Sequence, residues 1–408
     1  MSRTRPHVSP TPPTSLESLR QANRQRVMAV LQQRGQASRA DIARASGLSR
    51  TTVSSLVAEL LDEGLVVERP DLDKRAPSPD GGRPATLLTL DPSSGAFVGI
   101  DFAHDSVRVV LVNRCGELVA DDVQTLDVDD HADAALKLAI DIAEQLLSQA
   151  GVGRERVLGL GAAVAAPLRG GESVSFASQR IFASWGELDL QGMLAARFGC
   201  PVHIGNDANL GALAETTFGA GRGADDSLYV MLSTGVGLGL WLRGELYTGS
   251  TGTAGEFGHV VVDPAGQVCR CGNRGCLETV AGLGALTAAL RYARGTDVTA
   301  SELLDLAVAG DRGVIGLLAD AGRAVGGALA GLCSVLDPDL VIVGGELAAT
   351  GDALLEGISE VIDRETSTAS GHAYPVVRGE LGARAEALGA AVLAMDSESR
   401  QILASAQA

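Results

Sequence analysis

The densest group of reactive side chains is His259 followed by Cys269-Arg270-Cys271-Gly272-Asn273-Arg274-Gly275-Cys276. Three thiolates and one imidazole make a Cys3His set, the number and type of donor that tetrahedral zinc takes. The C-x-C spacing lets two sulfurs face one ion across a tight turn, and Gly272 and Gly275 let the chain wrap it. Thiols packed this closely without a metal would be prone to oxidation. Four protein donors leave no open position, so the expected Zn2+ is structural rather than catalytic.

A second group suits hydroxyl chemistry. Asn206-Asp207-Ala208-Asn209 follows Pro201-Val202-His203-Ile204-Gly205, a strand-like run. A carboxylate at the end of a buried strand can accept a proton from a hydroxyl, the task of a phosphoryl-transfer base. Taken alone, Asp207 reads equally as a strand-end cap. Glu256 and His259 lie one helical turn apart, and Glu278 follows the last cysteine. Sugars require such convergent carboxylates and amides, because each hydroxyl both donates and accepts. The stretch from Ser233 to Gly239, with Thr234, Gly235 and Gly237, has small residues whose backbone can approach phosphate. Gly344-Gly345, after the run Asp339–Val343, could sit against adenosine, and tight packing explains it as well.

Gly255-Glu256-Phe257-Gly258-His259-Val260 followed by C-x-C-G-x-x-G-C-x-E resembles the signature of the ROK family, named for repressors, open reading frames and kinases. The resemblance covers roughly 86–400, and with the N-terminal head nearly the whole chain, in the arrangement of the family's repressor branch. It implies zinc on His259, Cys269, Cys271 and Cys276, and a hexose contacted by Asn206, Asp207, Glu256, His259 and Glu278. His259 would then couple metal to ligand, one ring nitrogen on each. Ser184-Trp185-Gly186 lies where family members carry a ligand-proximal loop, and Trp185 reads equally as a packing residue.

Kinases of the family carry an Asp followed by a Gly-Gly-Thr-like turn. Here the stretch is Asp101-Phe102-Ala103-His104-Asp105-Ser106. The glycines are replaced, and Asp105 adds negative charge where phosphates should lie. At ~4 Å and an effective dielectric near 20, one like charge costs several kcal/mol. The resemblance thus implies a sugar sensor that has lost efficient phosphoryl transfer. ATP and Mg2+, on Asp101, Thr234, Gly235, Gly237, Gly344 and Gly345 with Asp207 as base, belong only to the alternative of a retained hexose kinase.

The positioning elements follow from periodicity. Residues 20–34 form a first helix with Val27, Val30 and Leu31 on one face. Ser38 caps a short second helix, with Asp41 three residues on. Gly47-Leu48-Ser49 supplies a turn, and Ser49 caps a third helix over about 50–62. That helix turns Val53, Leu56, Val57, Leu60 and Leu61 inward and Arg50, Thr51, Thr52, Ser54 and Ser55 outward. Short hydroxyls and an arginine near a helix N-terminus suit a recognition helix in the major groove. Ser38 and Arg39 lie beside it. Residues 65–69 and 85–90 read as wing strands, and Arg83 as a wing-tip phosphate contact.

From Thr86 onward short β-rich runs alternate with helices, the order of an α/β body made of two related lobes. The expected fold is α/β, an actin-like, sugar-kinase two-lobed ATPase-type (ribonuclease H-like) body, preceded by an all-α winged helix-turn-helix domain. The expected divisions are a disordered tail at 1–15, the head at 16–90, lobes at 91–205 and 206–385, and a helix at 386–408 returning toward the first lobe.

Charge is divided sharply. Residues 1–90 hold 13 Arg and Lys against 9 Asp and Glu, while the whole chain of 408 residues carries −17. Phosphate neutralisation can therefore work only at the head, and the acidic body repels DNA elsewhere. The start of the chain has no apolar core stretch, and no uninterrupted apolar run reaches the ~18–20 residues that span a bilayer. A cytoplasmic protein with no membrane partner is expected. The implied function is a repressor of carbohydrate-metabolism genes controlled by a sugar or sugar derivative, with control by a protein partner as a further alternative. One winged head binds weakly, so a homodimer or homotetramer on a palindromic double-stranded operator is expected.

Overall fold

The computed structural model describes residues 16–70, 86–169, 175–176, 185, 188–366 and 373–405. Arg83, Ser184, Gly186 and the 1–15 tail lie outside them.

The head holds helices Leu16–Arg34, Arg39–Ser46 and Arg50–Asp62, then antiparallel strands Val66–Pro70 and Thr86–Leu90. A two-residue strand, Ala37–Ser38, adds a third member to this sheet. Ser38 Oγ accepts from the Asp41 N–H while the Asp41 carboxylate accepts from the Ser38 N–H, a complete capping box. Gly47 ends that helix at φ 72°, a left-handed conformation that glycine adopts without strain. Ser49 Oγ then caps the third helix through the Thr52 N–H. Val27, Leu31, Ile42, Val53, Leu56, Val57, Leu60 and Leu88 close one small core.

The body contains two five-stranded sheets of the same design. In the first, the meander Ala96–Phe102, Ser106–Asn113, Leu118–Thr125 is followed by Val157–Val164 and Val202–Asn206, parallel to the first strand. In the second, Ser227–Leu232, Val236–Leu242 and Glu245–Leu246 form the meander, and Leu340–Gly344 and Val376–Arg378 run parallel. Both sheets have strand order 3-2-1-4-5 in their own chain order. This duplication is the two-lobed α/β architecture expected. Helix Ala132–Gln149 covers the outer face of the first sheet. Arg312–Leu336 and Ala353–Thr366 cover the second. Arg312–Leu336 is long and apolar enough to cross a membrane by length and composition, and its inner face, from Val314 to Cys333, is buried in this core.

Two helices fill the gap between the sheets, Asp207–Phe218 and Ala385–Ser405. They come so close to their neighbours that side chains are excluded. A Cβ on Gly161 would lie 1.8 Å from the Ala390 carbonyl oxygen, and one on Gly389 would lie 1.8 Å from that of Leu210. Glu215, fully buried, accepts from the N–H groups of Ala220, Glu380 and Leu381, fixing the approach to the final helix.

Head and body also touch. The Asp91 N–H donates to Leu65 across the head, and Cys115, in the turn after Asn113, places its Sγ 3.4 Å from the Leu90 carbonyl oxygen.

Gly161→Ala is expected to lower unfolding free energy by ~2–3 kcal/mol or more, because backbone must move to admit a methyl. Gly331→Ala, on the open side of a helix with nothing within 4 Å of the added carbon, is expected to raise it by ~0.5–1 kcal/mol. Denaturant melts of the two variants decide this, and equal effects would contradict the packing described.

Candidate functional site

The metal-ligating candidates converge. His259 lies in the single turn Phe257–His259, and the three cysteines lie in the loop that follows. One donor atom from each of His259, Cys269, Cys271 and Cys276 falls within 4.8 Å of every other. His259 Nδ1 is 3.6 Å from Cys269 Sγ, and the sulfurs of Cys271 and Cys276 are 3.7 Å apart. A tetrahedron with metal–sulfur bonds of ~2.3 Å has edges of ~3.8 Å, so these two separations match the edges of a zinc site. All six cysteines are free thiols. The loop holds this shape through two bonds from Val262 and Asp263 N–H to the Gly275 carbonyl. Gly275 is at φ 69°, and a Cβ there would meet the Asp263 oxygen at 1.5 Å, so only glycine fits.

Beside this cluster is a cavity of about 330 Å3, lined by Asn206, Asp207, Glu256, His259, Glu278 and Arg270 among others. The five residues expected to contact a hexose are therefore brought together. His259 turns Nδ1 to the sulfurs and Nε2 toward Glu256, 3.9 Å from its Oε2. Asn206 caps helix Asp207–Phe218 by accepting from the Asn209 N–H, and its amide donates to Asp207 Oδ1. Asp207 Oδ1 also accepts from the Ala208 N–H. Burial pushes the Asp207 carboxyl up to about 6. Burial, followed by the charges of Asp207 and Glu278, pushes Glu256 up to about 7.

A second, smaller cleft of about 60 Å3 adjoins the first, and Asp207, His104, Ala165 and Met231 line both. Asp101, Asp105, Glu346 and Glu386 join Asp207 on its wall, with Arg108, Ser106, Ser233, Thr234 and Gly345. Asp101 Oδ1 is buried without a hydrogen-bond partner. Burial, then Glu386 and Asp207, raise the Asp101 carboxyl well above the usual range. Burial takes Glu386, which accepts from the Tyr229 hydroxyl, up to about 7.

The nucleotide candidates thus divide. Asp101, Thr234 and Gly345 line the small cleft, whereas Gly235 and Gly237 line the larger cavity. Gly344 faces neither; its missing Cβ makes room for the Tyr229 hydroxyl. Trp185 is a packing residue: it stands edge-on to Phe102 at 5.1 Å and donates to the Val128 carbonyl.

Sequence reasoning overlooked His104, Arg270, Asp129 and Glu386 as parts of the site. Arg270 Nε lies 3.2 Å from Glu278 Oε1 and its Nη2 3.1 Å from His104 Nε2, while His104 Nδ1 is 2.8 Å from Asp129. The one available signal was the position of Arg270 between two metal-ligating cysteines.

In the head, Arg50, Thr51, Ser54 and Ser55 are exposed on one helix face, with Thr52 half-buried at its start. Ser49 Oγ is 2.8 Å from the hydroxyls of both Thr51 and Thr52. Arg39 pairs with Glu68 of the wing strand at 2.8 Å. Ser38 is committed to its capping box. Arg20 and Arg24 pair with Glu59 and Glu63, tying the first helix to the third.

Known proteins resemble this chain in both head and body. The ROK family profile matches residues 97–397, and a winged helix-turn-helix DNA-binding profile matches 20–67. The xylose repressor of Caldicellulosiruptor bescii is 28% identical over 384 residues, 91% of this chain and 94% of that protein. A ROK glucokinase from Streptomyces griseus, solved with glucose and AMPPNP, superposes with TM-score 0.66 at 27% identity, covering 74% of this chain and all of its own. A ROK transcriptional regulator homologous to the Escherichia coli MLC protein superposes over 96% of this chain and 98% of its own, with TM-score 0.72 and 24% identity, a likeness of fold.

Cys271→Ser is expected to lower both bound zinc per chain and melting temperature; metal analysis beside a thermal melt tests it, and parental values for both would count against the metal site. A pH prediction follows from Asp207 and Glu256. Their folded values are raised, so the associated stability is complete below the unfolded values near pH 4 and is lost as pH rises through about 6 and 7. Asp207→Asn and Glu256→Gln should therefore melt higher than the parent at about pH 8 and converge on it near pH 4.

Proposed function

Because the chain belongs to the ROK family and carries an N-terminal winged helix-turn-helix, we propose that it is a transcriptional repressor of sugar-metabolism genes whose operator affinity is set by a sugar or sugar derivative. The observation that carries this reading is the contrast between two adjoining cavities. The larger gathers the Asn206 amide, the Asp207, Glu256 and Glu278 carboxylates and the His259 ring, a mixed set of donors and acceptors suited to hydroxyls. The smaller, where a kinase would hold phosphates, is walled by five carboxylates and has little room. Polyphosphate would meet repulsion from each ionised wall group at short range.

Each part has a role in that reading. Arg50, Thr51, Thr52, Ser54 and Ser55 enter the major groove from the third head helix, with the Arg39 side on phosphates. His259, Cys269, Cys271 and Cys276 hold zinc, which supplies a rigid cross-link for the loop carrying Arg270 and Glu278. With all positions filled by protein, it supplies no Lewis-acid site. Sugar binding changes operator affinity only if the DNA-bound and free states bind the sugar differently, as they do when the lobes close on it in one state more than in the other. Two chains on a palindrome give the affinity one head lacks.

One observation favours retained phosphoryl transfer: Asp207 lines both cavities, where a base between sugar and phosphate would stand. An ADP-release assay with D-glucose and D-xylose separates the readings. Sugar-dependent turnover abolished by Asp207→Asn would establish the kinase.

For the repressor, the test is fluorescence anisotropy of duplex DNA selected by the full-length protein from a random pool, titrated with D-xylose, D-glucose and N-acetylglucosamine and their 6- or 5-phosphates. At least one is expected to shift operator affinity by tenfold or more, on the order of 1.4 kcal/mol. No shift with any of them would sink control by a small sugar. Arg50→Ala should weaken operator binding by about 1–3 kcal/mol and relax the base preference at the position it reads.

A further inference from the structure

We propose that Arg270 and His104 form a latch that holds the two lobes together over the ligand cavity without any nucleotide. The proposal rests on the reading of that cavity as a sugar site. The guanidinium of Arg270 comes from the second lobe, on a backbone flanked by the metal-ligand candidates Cys269 and Cys271. It bonds Glu278 Oε1 at 3.2 Å through Nε and His104 Nε2 at 3.1 Å through Nη2, and its Nη1 is 3.6 Å from Asp129 Oδ2. His104 and Asp129 belong to the first lobe. The His104 ring is oriented by Asp129, whose two oxygens lie 2.8 and 3.0 Å from Nδ1. A neutral ring donating from Nδ1 accepts at Nε2, which is the role the Arg270 donor requires. The first-lobe side is braced in turn: the Val128 N–H donates to the His104 carbonyl and the Leu126 N–H to that of Asp105.

This network differs from an ordinary surface ion pair. The side chains of His104 and Glu278 are only 10% and 15% exposed, and a planar guanidinium holds several partners in fixed directions. It also occupies a telling place. His104, Arg270 and Glu278 all line the sugar cavity. A Cβ on Gly235, in the glycine-rich turn, would lie 3.4 Å from His104 Nε2, 3.5 Å from Glu278 Oε2 and 3.8 Å from Arg270 Nη2. Side chains of opposite lobes thus meet against the backbone of the glycine-rich turn and make an interlobe contact that involves no nucleotide. A sugar bound there meets side chains of both lobes, so its binding is coupled to the latch.

The test uses full-length zinc-loaded protein with His104→Ala, Arg270→Ala, the double variant, and Arg270→Lys, which keeps the charge but cannot join Glu278 and His104 through one planar group. Without sugar, hydrogen exchange at the Leu126 and Val128 amides is expected to speed up in both Arg270 variants, although Arg270 lies in the other lobe. Calorimetric titration with D-xylose and D-glucose is expected to show about tenfold weaker binding in each single variant. The double variant should be no weaker than the worse single, since the two residues act as one unit. Zinc per chain should stay at the parental value. Additive losses, or unchanged exchange at Leu126 and Val128 in the Arg270 variants, overturn the latch. If the parent binds no sugar, the cavity reading fails by itself, and the exchange measurement still decides the latch.

Discussion

The structure depends on backbone approaching backbone at the centre of the body. Gly99, Gly161, Gly239 and Gly389 let Asp207–Phe218 and Ala385–Ser405 lie against the sheets and each other backbone to backbone. Dispersion at this range is dense and intolerant of added volume. It fixes Asp207 and Glu386 each at the start of its helix, so both face the same cleft. The carboxylates are crowded because the helices that carry them are crowded, and their raised affinity for protons follows from that burial.

The second organising feature is the metal-ligand loop. Its four donors lie within 18 positions of one another in sequence, from His259 to Cys276, yet the loop's influence extends into the cavity through Arg270 and Glu278. Holding the cysteines in place holds those two side chains, as supporting shells do around ligand sites generally. A repressor pocket made this way needs no nucleotide to be formed.

What could be read from the sequence was local. The zinc donors, the capping box at Ser38, the turn at Gly47 and the two-lobed strand–helix order are set by residues near one another in the chain, where spacing and periodicity speak directly. The family signature then gathered Asn206, Asp207, Glu256, His259 and Glu278, which the cavity unites. What escaped was long-range pairing. His104 meets Arg270 across 166 positions, and Tyr229 meets Glu386 across 157; no period encodes such pairs. Gly344 was legible as a glycine serving close approach, and the group it admits is the Tyr229 hydroxyl. Trp185 showed two readings until Phe102 and the Val128 carbonyl selected packing.

The short junction between head and body has a consequence for the operator. Only Asp91 to Gly95 separate the wing strand ending at Leu90 from the body strand beginning at Ala96, and the turn at Cys115 bears on that joint. Five residues span at most ~17 Å, and here they are held rather than slack. The head has little freedom to search for a half-site by itself. In any pair of chains, the distance and angle between recognition helices are therefore set by how the two bodies meet. The bodies act as a ruler, and the permitted number of base pairs between half-sites becomes a property of a surface that never touches DNA.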